Sequence, residues 1–171
     1  MTVKELIDKL QQFNGDRVVL VEDTEYGEFQ AIEATPMRAS MALSAGYKIG
    51  NAHPDDIGYE VTYPDGYKSW SPAKEFEKAY YKLEDPTGDV LKENDIKRFI
   101  KGIENAKVGT KTTNTTLTCL TGFEVHGQAA CVKPENFDLN VGSNYARIKA
   151  EDKIWEGLGF VLQWAKYGLK R

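Results

Sequence analysis

The chain contains only two cysteines and two histidines, and their scarcity removes several chemistries at once. Two thiols cannot build the disulfide framework of a small secreted domain, so Cys119 and Cys131 read as reduced, partly buried side chains. His53 stands in "NAHPDD" beside Asp55 and Asp56. One imidazole with two adjacent carboxylates falls short of a metal-ligand set, and a solvated loop explains it better. His126 lies in a strand five residues before Cys131. That spacing puts the pair on opposite faces of a regular strand, and a Cys-His nucleophile would need a bulge to join them. No catalytic residue, metal ligand or cofactor is assigned.

The sequence also lacks both GxGxxG and GxxxxGK[ST], which excludes the common phosphate-binding loops. It has no apolar run approaching the ~18 residues of a membrane helix. "MTVKELIDKL" carries charges where a signal peptide needs an apolar centre, which predicts a cytoplasmic protein. The net charge of -4 argues against bulk nucleic-acid binding but leaves room for a local basic pocket.

What is present alternates between strand and helix patterns. "TVKELIDKLQQF" places Val3, Leu6, Ile7 and Leu10 at helical spacing behind a Thr2 cap. "RVVLVED" reads as a strand, "TEYGE" as a turn and "FQAIEAT" as the returning strand. "PMRASMALSAGY" predicts a short helix ending at Gly46. Tyr59, Val61 and Tyr63 share one face of "IGYEVTY", and "PDG" turns the chain into "YKSW". Ser71 and Pro72 then suit the start of a helix whose buried stripe is Phe76, Ala79, Tyr80 and Leu83. "EDPTGD" marks the internal boundary, dividing the chain into modules 1–85 and 86–171. Beyond it, "VLKENDIKRFIKGI" reads as a helix, "KVGTKTTN" as a polar loop, and "TTLTCL" with "FEVHGQAACV" as a hairpin. Asn136 or Asp138 caps a long helical tract with Ala150, Ile154 and Leu158 four apart, and Gly157 and Gly159 are expected to bend or divide it. The fold class is α+β: antiparallel hairpins packed with helices and a long C-terminal helical tract.

Candidate ligand-binding residues come from two places. In "YPDGYKSWSP", Tyr67, Lys68 and Trp70 can stack a base and neutralise a phosphate. Packing competes with that reading, because alternation puts Trp70 on the face opposite Tyr67, towards the following helix. In "VGTKTTNTT", Lys111 and Thr113 offer anion donors, although strand propensity alone also accounts for the threonines. His126 and Arg147 complete the set.

The segment "TTLTCLTGFEVHGQAACVKPENFD", with "YARIKAEDKIW" and "LGFVLQ" after it, resembles the phage gp-forty-nine-like family of small phage proteins. The family pattern "G-x-S-A-C-V-x-P-E-N-F-D" is met by Gly127, Ala130, Cys131, Val132, Pro134, Glu135, Asn136, Phe137 and Asp138, and "K-I-W" by Lys153, Ile154 and Trp155. Ala129 stands where Ser is usual, and the turn is shortened to "LTGF". The resemblance spans about Leu91 to Gln163. Upstream, "YPDGYKSWSP" with "FEKAY" is similar to an accessory segment of phage proteins, with Lys74 displaced by one position. The resemblance implies a phage origin, and a phage protein of this size without a catalytic constellation is expected to be an accessory factor of the host bacterial cytoplasm that binds rather than catalyses. Its partner is then a small nucleotide-like ligand, as in counter-defence proteins that sequester a host nucleotide immune signal. The alternative is a host protein, with this chain inhibiting a defence or metabolic enzyme. A small nucleotide hydrolase using His126 or Cys131 is the third reading. Homo-oligomers are compatible with all three.

Overall fold

A computed structural model describes residues 17–23 and 28–168. The helix expected in "TVKELIDKLQQF" and most of the "TEYGE" turn lie outside the described residues. The chain divides into two compact units, residues 1–90 with 161–171, and residues 91–160. The fold is α+β, as the alternating patterns predict.

The N-terminal unit is built on an antiparallel sheet of β1 (Arg17–Asp23), β2 (Glu28–Arg38), β3 (Ile57–Thr62), β4 (Lys68–Pro72) and β5 (Tyr80–Lys82), in the order β4-β3-β2-β1-β5. Helices α1 (Ala39–Ser44) and α2 (Ala73–Ala79) interrupt it. The strand period sorts side chains to two faces. Ile32, Ala34, Val61 and Phe76 form one buried cluster, edged by Tyr59, Tyr63 and Tyr80. Trp70, Ala39 and Ala42 form another with Met37, Tyr47, Ile49 and Ala52. Trp70 pairs across the ladder with Glu60, and Val61 with Ser69, so the two clusters occupy opposite faces.

Three boundaries differ from the sequence pattern. Pro36, Met37 and Arg38 continue β2 opposite Tyr59, Gly58 and Ile57, so α1 begins only at Ala39. Ladder pairing outweighs helix propensity there. Ser71 stays in β4, and Pro72 precedes α2 without a side-chain cap. Helix α2 stops at Ala79, and Tyr80 enters β5 against β1. Of the expected stripe, Phe76 and Leu83 are fully buried, Tyr80 is half-buried and Ala79 is exposed.

The aromatic cluster carries an electrostatic consequence. Phe76 lies 4.4 Å from the Tyr59 ring centroid and stacks at 4.3 Å on Tyr80. Burial, reinforced by a 2.9 Å hydrogen bond that the Tyr59 hydroxyl donates to Glu77, pushes this phenol from 10.0 up to about 12. A raised folded value favours the neutral phenol. The stabilisation is therefore complete below pH 10 and is lost as pH climbs towards about 12. Absorbance titration should show a late tyrosine ionisation at about pH 12 that Tyr59→Phe removes, beside a smaller upward shift at Tyr47, whose hydroxyl is held by Glu60. Persistence of the late ionisation in that variant would assign it to another ring.

The C-terminal unit contains α3 (Glu93–Phe99), an antiparallel sheet β6 (Ile100–Val108), β7 (Thr112–Cys119) and β8 (Glu124–Ala130), a 3-10 turn at Pro134–Asn136, and most of α4 (Leu139–Tyr167). The helix expected across "VLKENDIKRFIKGI" ends at Phe99. The segment "IKGIENAKV" is instead an edge strand paired along its length with the threonine-rich β7. Pairing with a β-branched neighbour decided the state of a segment whose own propensities are mixed. Helix α4 runs unbroken through Gly157 and Gly159. Its buried residues Ile154, Leu158 and Leu162 anchor it on both sides of the glycines, which outweighs the ~1 kcal/mol each glycine costs.

One ridge of α4 is graded in size. Gly142, Ala146, Ala150, Ile154 and Leu158 follow at intervals of four. A Cβ on Gly127 of β8 would overlap the Ala146 carbonyl oxygen and the Ala150 amide nitrogen. A Cβ on Gly142 would overlap Thr113 Oγ1 of β7. Backbone meets backbone at the small end of the ridge. At the large end, Ile154 and Leu158 fill a core with Ile96, Leu117, Cys119 and Val125, edged by a partly buried Trp155. Among the described residues, no helix is long and apolar enough to cross a membrane.

Candidate binding site

The small end of that ridge borders a cleft. It lies within the C-terminal unit and has a volume of about 260 Å³. Its walls are the start of β7 (Lys111, Thr113), the end of β8 (Ala129, Ala130, Cys131), the turn Asn136–Asp138, and the first turns of α4 (Val141, Gly142, Tyr145).

Local hydrogen bonds fix these walls. The Lys111 carbonyl accepts from the Cys131 amide at 3.0 Å and from its thiol at 3.5 Å. The same thiol donates to the Lys133 carbonyl at 3.0 Å. Asp138 is the residue that caps α4: its Oδ1 accepts from the Asn140 and Val141 amides at 2.8 and 3.1 Å, where a carboxylate also suits the positive end of the helix. Lys107 places its ammonium 4.4 Å from the centre of the Phe137 ring.

One polar atom is out of place. Thr113 is 1% exposed, and its Oγ1 has no hydrogen-bond partner. A buried hydroxyl left in this state costs about 1–3 kcal/mol. The neighbouring Thr115 hydroxyl, also buried, donates to Asn105 at 2.6 Å.

The cleft brings together two of the ligand-binding candidates read from the sequence, Lys111 and Thr113, with Cys131 in the same wall. The others lie elsewhere. His126 is on the face of the sheet turned away from α4, where Nδ1 meets Thr116 Oγ1 at 3.0 Å. Arg147 donates to Glu151 at 2.6 Å. Tyr67, Lys68 and Trp70 belong to the N-terminal unit. Trp70 is 7% exposed, and its indole N–H donates to the Met37 carbonyl at 2.9 Å. Tyr67 is exposed, with its ring 5.8 Å from that of Tyr63. Lys68 donates to Glu60 at 3.1 Å, and Tyr47 donates to the same carboxylate at 2.6 Å. The Tyr47 hydrogen bond, with Lys68 assisting against burial, holds Glu60 below the usual carboxylate range.

Cys131 and His126 do not meet, since the thiol faces the cleft and the imidazole the opposite sheet face. Cys119 is buried, and desolvation pushes its thiol up. Both cysteines are free. Among the described residues, no three His, Cys, Asp or Glu side chains gather to hold a metal ion.

Sequence reasoning passed over Val141, Tyr145 and the 129–131 and 136–138 walls as cleft residues. The visible signal was Val132, an apolar side chain in an otherwise polar turn, here 88% exposed. Residues 91–165 match the phage protein (N4 Gp49/phage Sf6 gene 66) family, so the likeness read from "GQAACVKPENFD" holds over this stretch. No curated protein and no solved structure matches the chain.

Proposed function

We propose that the protein is a phage accessory factor that acts by binding, and that its ligand is a host protein rather than a nucleotide. The apolar surface beside the cleft carries this reading. Val141, Tyr145 and Ile148 occupy one face of α4 and are each more than half exposed, and the exposed Val132 follows the cleft residue Cys131 in the chain. A helix normally presents polar side chains on the face turned from its core. Large apolar groups there, beside a pocket able to take an anchoring side chain, are the makings of a protein interface.

Sequestration of a nucleotide immune signal draws less support. At about 260 Å³ the cleft lies below the usual range of small-molecule sites, roughly 300–1,000 Å³. Lys68 and Arg147, two of the cations that reading needs, are engaged by Glu60 and Glu151. His126, the base that the hydrolase reading pairs with Cys131, lies on the opposite face of the sheet.

Affinity capture from a bacterial lysate with the full chain, beside Val132→Asp and Tyr145→Ala, tests the proposal. A protein retained by the parent and lost with both folded variants is the expected result. A nucleotide released intact from the parent, with no protein dependent on Val132, would replace this reading with sequestration.

A further inference from the structure

We infer that β6 takes up an extended segment of the protein partner as a fourth, antiparallel strand of its three-stranded sheet, an inference that rests on the protein-binding reading above. Hydrogen bonding across the sheet leads there. Lys153 and Lys149 of α4 donate to the His126 and Gln128 carbonyls at 2.6 and 2.9 Å, so those groups of β8 point away from β7. Alternation then bonds Thr115 and Leu117 to Gly127 and Val125, and turns the backbone of Asn114, Thr116 and Thr118 towards β6. The Leu120 amide, next in that series, donates to the Phe99 carbonyl. Across β6 the partners of the three residues are Ala106, Glu104 and Gly102. Ile103, Asn105 and Lys107 therefore direct their N–H and C=O groups outward from the sheet, and residues 103–108 are all exposed. One edge of the sheet is closed by two ammonium groups. The other is open.

The side chains along the open edge select its occupant. Ile103, Asn105 and Lys107 stand opposite Leu117, Thr115 and Thr113, whose buried side chains define the α4 face of the sheet. Lys107 lies over the Phe137 ring, which places this end of the edge beside the cleft wall. Glu104, Ala106 and Val108 take the other face. Neither Lys107 nor Glu104 makes an ion pair among the described residues. Opposite charges and apolar pairs set directly across a ladder stabilise it, and like charges weaken it. The complementary strand places an acidic residue against Lys107, a basic one against Glu104 and a β-branched one against Ile103. A second copy of β6 fits poorly. A two-fold axis at Glu104 opposes that carboxylate with itself, and an axis at Ile103 or Asn105 puts it against Gly102 or Ala106.

The test is amide hydrogen exchange by NMR on the full chain, free and with the end-capped peptide Glu-Val-Thr-Lys-Val, which runs antiparallel from Lys107 to Ile103. In the free chain the Glu104 and Ala106 amides should exchange slowly, and those of Ile103, Asn105 and Lys107 rapidly. The peptide should slow the second set saturably. The charge-exchanged peptide Lys-Val-Thr-Glu-Val should bind several-fold more weakly. Lys107→Met should weaken the first peptide about two- to fivefold. Lys107→Pro also removes an outward N–H that β7 does not use, and should weaken it about tenfold with the melting temperature nearly unchanged. Unaltered exchange at the three outward amides, equal affinity for the two peptides, or full affinity in both Lys107 variants would each overturn the inference. Slowing of the same amides as protein concentration rises, without peptide, would assign the edge to a second copy and overturn it too. Val132→Asp separates the two claims, since it should abolish partner capture and leave the peptide titration intact. Partner capture lost in Val132→Asp but retained in Lys107→Pro would sink the added strand and leave the protein-binding reading standing.

Discussion

Gly127→Ala should unfold the C-terminal unit far more readily than its single added methyl suggests. The new Cβ would overlap the carbonyl oxygen of Ala146 and the amide nitrogen of Ala150. Both are backbone atoms of a long helix, so no rotamer change can relieve the contact. The helix must lift from β8, and with it goes the packing of Ala150, Ile154 and Leu158 on Leu117 and Val125. Overpacking typically costs about 1–3 kcal/mol, and a backbone obstacle belongs at or above the upper end. Denaturation midpoints measure it, with Gly102→Ala as the control. Gly102 lies in β6, and its nearest neighbours to an added Cβ are Thr118 side-chain atoms at 3.7 Å. That variant should fall within about 1 kcal/mol of the parent. Equal midpoints for the two variants would mean that α4 does not press on β8 at Gly127.

The same contact shows what was legible in the sequence. Ala150, Ile154 and Leu158 declare a helix face by their spacing, and "TTLTCL" with "FEVHGQA" declares a hairpin by its alternation. Those are local periods, and the structure keeps them. The pairing of Gly127 with Ala146 and of Gly142 with Thr113 is not local. A glycine in a strand pattern says that something comes close, without saying what. The edge strand "IKGIENAKV" was misread for the same reason, because its state depends on β7, which follows it. Alternation separates Trp70 from the Val61 face, but the helix that Trp70 meets is α1 and not, as the sequence pattern suggested, the α2 that follows it. Its indole partner, the Met37 carbonyl, is 33 positions away in sequence and left no local mark. The cleft lay across these limits. "ACVKPENFD" displayed the cap and the turn, whereas the lone hydroxyl of Thr113 becomes visible only when Gly142 is placed over it.

Trp70→Ala should cost the N-terminal unit about 3–5 kcal/mol, the range of buried aromatic truncations. The indole packs with Ala39 and Ala42, edged by Tyr47, Ile49 and Ala52, so it holds α1 and the following loop to the sheet. Its N–H also supplies the donor for the Met37 carbonyl. Room for the ring comes from Gly58, where an added Cβ would overlap indole carbons and the Ser71 carbonyl oxygen. Gly58→Ala should therefore destabilise too, and the two changes should not add, because removing the indole removes part of the clash. Tyr67→Ala, at an exposed turn position, should stay within about 0.5 kcal/mol of the parent. Lys68→Ala loses a half-exposed ion pair with Glu60, worth about 1 kcal/mol at most. Chemical denaturation of the parent and the five variants, the double variant included, gives the comparison. A Trp70→Ala variant that unfolds with the parent would show that the ring is not what fastens α1 to the sheet. "YPDGYKSWSP" would then be read as an aromatic surface for a ligand.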